Sequence, residues 1–128
     1  IVLTFDVDSD DFTRAGEASS RLKRTLKQMG LPPDIIRRIS IVMYEGEINM
    51  VIHTHGGKIT VTVDDDAVTM VLADVGPGIP DVEKAMQAGW STASEAVRQQ
   101  GFGAGMADTL EIDTVVGVGT TVTAVVRL

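Results

Sequence analysis

Apolar residues alternate with others at Ile1, Leu3, Phe5 and Val7, the period of a strand buried on one face. Ser9, Asp10 and Asp11 follow, residues that suit helix N-caps. Over 12–29 the period changes to that of a helix. Phe12, Ala15, Leu22, Leu26 and Met29 share one stripe, and Arg21, Lys23, Arg24 and Lys27 lie off it. Gly30 suits the left-handed position after a helix, and Pro32-Pro33 suit the first turn of another. The second helix is predicted from about Asp34 to about Thr54, stopping before Gly56-Gly57. Alternating runs at Lys58–Val63 and Val68–Ala73, joined by Asp64-Asp65-Asp66, predict a β-hairpin. Val75–Pro80 reads as a turn, 81–88 as a short helix capped by Asp81, and 89–102 as a mobile loop of small and polar residues. Leu110–Val115 and Thr120–Leu128 predict a second hairpin around Gly117-Val118-Gly119. The helices are grouped apart from the hairpins, so the expected fold is α+β. It is a two-layer sandwich whose mixed, mostly antiparallel sheet carries helices on one face.

Composition narrows the possibilities. A length of 128 residues suits a single domain, 1–128, able to bury one core. With no Cys, disulfide scaffolds, thiolate metal sites and cysteine nucleophiles are excluded, and a reducing cytoplasm is the expected compartment. The net charge of −7 argues against non-specific nucleic-acid binding, and 4% aromatics against a base-stacking platform. No apolar run approaches the roughly 18–20 residues that span a bilayer, so no membrane association is expected. The opening IVLTFDVDSDD has neither the basic n-region nor the cleavage site of a signal peptide. An anion held at one local site stays compatible with all of this.

Three constellations could carry chemistry. Glu45, Asn49 and His53 stand at i, i+4 and i+8 in the second helix, hence nearly on one face. They lie within an apolar stretch, where polar groups are costly unless paired or used. One reading is a solvated stripe on an amphipathic helix, the commoner meaning of such spacing. The other makes Asn49 an oxygen ligand for Mg²⁺ and Glu45 a general base. His53 alone fits a helix-end histidine near the C-terminal dipole. Second, Asp74-Val75-Gly76-Pro77-Gly78-Ile79 directly follows a strand. It is either a plain turn or a place where Gly76 and Gly78 let backbone approach a ligand and Asp74 accepts a hydrogen bond from an exocyclic amine. Third, Gly101-Phe102-Gly103-Ala104-Gly105-Met106 leaves amide groups free to surround phosphates, though a flexible linker looks the same. It matches neither a Walker A loop nor a Rossmann fingerprint. Gly117 to Thr121 reads as a hairpin turn, with Thr120 able to face a ligand.

The order and spacing of these pieces resemble the GHKL (Bergerat-fold) ATPase superfamily over nearly the whole chain. Within it, the Glu45…Asn49…His53 helix, the stretch ADVGPGIPDVEKAMQAGWST and the GVGTTVTAVV ending look most like the small bacterial anti-sigma factor and switch-protein serine kinases. The resemblance implies ATP and Mg²⁺ as cofactors, with Glu45 as general base and Asn49 holding the metal. Asp74 would recognise adenine with Thr120 assisting. His53, Gly76, Gly78 and Ile79 would shape the pocket. Gly101, Gly103 and Gly105 would line the phosphates beside a lid at 88–102. It implies a STAS-domain protein substrate phosphorylated on serine or threonine. A sigma factor, a metal-dependent serine phosphatase and a second copy of the chain are further partners it implies. Two alternatives share the same pocket. One is a nucleotide-dependent anti-sigma binding module without kinase activity, the other a detached histidine-kinase catalytic domain. In the family the glycine run opens a helix of about three turns. Here only Met106-Ala107-Asp108-Thr109 separates Gly105 from the strand at Leu110, too short for that helix at about 1.5 Å per residue. The covering helix is therefore expected to be missing, through residues absent after Met106 or through its loss.

Overall fold

The computed structural model describes residues 1–8, 15–76 and 107–128. Its elements are β1 (Val2–Val7), α1 (Glu17–Gln28), α2 (Pro33–His53), β2 (Gly57–Val63), β3 (Ala67–Asp74), β4 (Thr109–Val115) and β5 (Gly119–Arg127). The strands form one sheet in the order β1-β2-β3-β5-β4, and both helices are α-helices packed over one of its faces. Every pairing between described strands is antiparallel, in keeping with the mostly antiparallel sheet expected from the sequence. None of the described helices is long and apolar enough to cross a membrane.

The strands follow their side-chain alternation. Ile59, Val61 and Val63 of β2, Val68, Met70 and Leu72 of β3, and Val122, Ala124 and Val126 of β5 all point toward the helices and are buried. The opposite face carries their threonine-rich neighbours, which is why each strand has one wet and one dry side. From α2, Ile36, Ile39, Met43 and Met50 meet this floor, spaced three, four and seven residues apart so that they fall on one stripe. From α1, Leu22 and Leu26 complete the core at 0% exposure each.

Helix ends show where local rules hold and where they yield. At the end of α1, Gly30 adopts φ +80°, its N–H reaches the Lys27 carbonyl at 3.1 Å, and the Leu31 N–H reaches Leu26 at 3.3 Å. This is a Schellman ending, available to glycine at little steric cost. The start of α1 differs from expectation. The helix begins at Glu17, not near residue 12, and its N-cap Gly16 has no side chain with which to cap. Glu47 of α2 performs that task instead. Its Oε2 accepts from the Ala18 N–H at 3.1 Å, and its Oε1 accepts from the Ser19 N–H at 3.0 Å and the Ser19 hydroxyl at 2.7 Å. Glu47 is only 3% exposed, so these bonds replace its lost hydration while its charge meets the positive end of the α1 dipole. The expected caps Ser9, Asp10 and Asp11, and Phe12, lie outside the described residues.

The remaining joins are local. Asp64 Oδ1 accepts from the Asp66 and Ala67 N–H groups at 2.8 and 2.9 Å, tying the β2–β3 turn, and those bonds lower its pKa. The expected hairpins both form, each strand within one residue of its predicted bounds. Ala107 packs into the core and Asp108 leads directly into β4, so no helix fits between 107 and the strand. The predicted helix at 81–88 and loop at 89–102 fall outside the described residues.

Glu47→Ala would leave three buried donors at the start of α1 without their acceptor. Unsatisfied buried groups cost about 1–3 kcal/mol each, with partial relief by water. The expected loss is therefore about 2–4 kcal/mol in urea denaturation, with hydrogen-exchange protection falling first in the opening turn of α1.

Candidate functional site

The sheet order sets up the site. Because β5 inserts between β3 and β4, the start of β5 lies beside the end of β3. Thr120 therefore meets Asp74, and its backbone N–H donates to Asp74 Oδ1 at 3.0 Å. The Thr120 hydroxyl shares a 2.8 Å hydrogen bond with that of Thr114 on β4. Above this corner runs the later half of α2. Gly46, Asn49 and Met50 from the helix, Leu72 and Asp74 from β3, and Thr120 and Val122 from β5 line one small cleft. An amide and a carboxylate thus share an opening walled by apolar side chains.

Close backbone approach makes the corner possible. A Cβ on Gly119 would stand 2.2 Å from the Asp74 carbonyl oxygen, and one on Gly57 would stand 2.1 Å from that of Ala73. Gly119 is therefore more than a turn residue. Beyond Asp74 the chain is clamped on both sides. The Val75 N–H donates to Gly56 at 3.0 Å, the His55 N–H to Val75 at 2.7 Å, and the Gly76 N–H to Val118 at 3.1 Å. Gly76 is buried against Thr54, where a Cβ would come within 3.1 Å.

Burial pushes the Asp74 carboxyl above its ordinary value, opposed in part by the Thr120 N–H. A carboxylate in an apolar corner with one backbone donor keeps acceptor capacity for a further N–H, such as an exocyclic amine. Asn49 offers one amide oxygen. No group of three or more His, Cys, Asp or Glu side chains placed to hold a metal occurs among the described residues. A single neutral oxygen fits Mg²⁺ that arrives on nucleotide phosphates and keeps several waters, and does not fit a closed protein cage.

Among the expected site residues, Asn49, Asp74 and Thr120 come together. Glu45 lies one turn before Asn49 and is 4% exposed, which overturns its reading as part of a solvated stripe. It does not border the cleft described above. His53 forms the last residue of α2, and its side chain lies outside the described residues. Gly78, Ile79, Gly101, Gly103, Gly105 and the lid segment 88–102 also lie outside them. Sequence reasoning missed Glu47 and Met50. Met50 gave only an apolar signal within the helix, and the partners of Glu47 are 28 and 29 residues away.

Asp74→Asn separates stability from ligand recognition. The folded state raises the proton affinity of Asp74, so its contribution is full below about pH 3.8 and is lost as pH rises through the higher folded value. At pH 7 the ionised carboxylate therefore opposes folding, whereas Asn can still accept from Thr120. The variant is expected to melt no lower than the parent at pH 7 by calorimetry, with any advantage vanishing toward pH 4.

Comparison with known proteins adds the family. Curated proteins gave no match. Among solved structures, the crystal structure of the RsbU and RsbW domains of Rv1364c from Mycobacterium tuberculosis is similar, with a TM-score of 0.68 and 18% identity. That likeness covers 100% of this chain and 32% of the other, so the chain spans about a third of its structural relative. The profile of the histidine kinase-like ATPase domain matches residues 9–126, almost end to end. The α+β architecture and the corner formed by α2, β3 and β5 belong to a chain that is a member of the histidine kinase-like ATPase domain family.

Proposed function

We propose that this domain binds ATP with Mg²⁺ and transfers the γ-phosphoryl group to a serine or threonine of a STAS-domain protein. The observation that carries the reading is the convergence of Asn49, Asp74 and Thr120, from three separate elements, on one cleft. Family membership supports nucleotide binding, and the likeness to a protein with an RsbW domain supports the switch-kinase type. A sigma factor or a metal-dependent serine phosphatase would complete such a system, in the cytoplasm, with a homodimer as the working form.

In this reading Asp74 accepts a hydrogen bond from the adenine amine, while Thr120 fixes the carboxylate from behind. Leu72, Met50 and Val122 provide an apolar wall for the base. Asn49 would offer its side-chain oxygen to Mg²⁺, which would neutralise phosphate charge. Glu45, buried one turn before Asn49 on α2, removes the proton of the attacking hydroxyl. The serine or threonine oxygen forms a bond to the γ-phosphorus, the bond to the bridging oxygen breaks, and ADP leaves.

The test is transfer of radiolabelled phosphate from ATP to a STAS-domain protein encoded beside this one. Glu45→Ala is expected to slow transfer about 10²–10⁴-fold with ATP affinity retained. Asn49→Ala should weaken Mg²⁺-dependent ATP binding roughly tenfold in calorimetric titration. Retained binding without transfer, unchanged by Glu45→Ala, would favour the non-catalytic anti-sigma module. Acid-labile phosphate on histidine would select a histidine-kinase domain.

A further inference from the structure

Charge is distributed unevenly along this chain. Residues 17–44 hold six of the 11 Lys and Arg but only two of the 18 Asp and Glu, a net of +4 on a molecule of net −7. The rest of the chain therefore carries −11. This basic segment is the hairpin of α1 and the first half of α2.

Between the two helices, on the side away from the sheet, runs a concave groove of about 740 Å³. Its floor is apolar, built by Leu31, Ile41 and the ring of Tyr44, which is 46% exposed, with the buried Ile36 at its base between the helices. Its rim is basic, with Lys23 and Lys27 from α1 and Arg37 from α2, all exposed. None of these three cations has an ion-pair partner among the described residues. Three cations with no ion pair among the described residues, set around an apolar trough on an otherwise acidic protein, form a surface complementary to an anionic amphipathic ligand.

We propose that the groove between α1 and α2 docks an acidic amphipathic helix of a partner protein. The physical form of the occupant follows from the walls. Both are helices whose backbone groups are already satisfied internally, so they offer no strand edge. An occupant must satisfy its own backbone and present side chains alone, which a helix does. Its apolar stripe would lie on Leu31, Ile41 and Tyr44 while flanking carboxylates meet the rim. The trough is concave, which suits an inserted helix and not a flat lipid surface.

The groove lies on the outer side of the helices, apart from the cleft of Asn49 and Asp74, and its occupancy can be tested without nucleotide. The probe is a fluorescein-labelled peptide of about five helical turns, with Leu along one face and Glu on the other. It is titrated in fluorescence anisotropy against the whole chain, and amide shifts are followed by two-dimensional NMR. Saturable binding is expected, with shifts confined to the α1–α2 groove. The triple charge reversal K23E/K27E/R37E is expected to weaken it roughly tenfold or more, as is added salt. Tyr44→Ser should also weaken it, and the same spectra report whether each variant is folded. Four results would overturn the proposal: no saturable binding, equal binding of a scrambled or Leu/Lys peptide, shifts centred elsewhere, or indifference to the charge reversal in a folded variant. Phosphatidylglycerol vesicles form the final arm. Vesicle binding that the triple variant abolishes, without peptide binding, would assign the surface to membranes and reject the helix.

Discussion

A buried carboxylate and an uncapped helix end, each unfavourable alone, are satisfied by one another. Glu47 sits at 3% exposure with both oxygens committed to the first turn of α1. Without those donors its charge could not stay in the interior, and without that acceptor the α1 amides would face an apolar environment. The pairing fixes the position of α1 against α2. Because successive residues turn about 100° around a helix, Glu47 and Asn49 point to nearly opposite sides of α2. One helix thereby holds its neighbour with one side and borders the cleft with the other.

The cleft depends on a second constraint, set by the sheet. Threading β5 between β3 and β4 makes the last residue of one strand and the second of another neighbours. Gly119 and Gly57 permit that closeness, since any side chain there would strike the β3 backbone. The resulting corner keeps Asp74 in an environment that disfavours its charge. Such a cost is typical of sites kept for binding, where local stability is given up for recognition. The α1–α2 groove shows the opposite economy, with charge left at the surface and apolar area left uncovered.

Much of this was readable in advance for local reasons. Alternation identified β1, β2 and β3, because a period of two leaves only one way to bury a face, and the turn at Gly117-Val118-Gly119 marked β4 and β5. Gly30 and Pro33 marked helix ends through backbone preferences that act over a few residues. The motif residues Asn49, Asp74 and Thr120 could be nominated together only through resemblance to a family, since 25 and 46 residues of chain separate them in sequence. One expectation and one of two open readings failed for the same reason. The start of α1 near residue 12 and the solvated stripe through Glu45 were both inferred from helical periodicity, which says which residues share a face but not what that face meets.

The sequence by itself determined the elements, the two hairpins and the concentration of positive charge in 17–44, because these depend on spacing, turn chemistry and composition. Tertiary structure alone decided the strand order, the partnership of Glu47 with α1, the burial of Glu45, and the corner where Asp74 meets Thr120. Each of those arises between segments distant along the chain. Side-chain desolvation and backbone clearance at such contacts have no counterpart in local spacing, and exist only once the helices lie on the sheet.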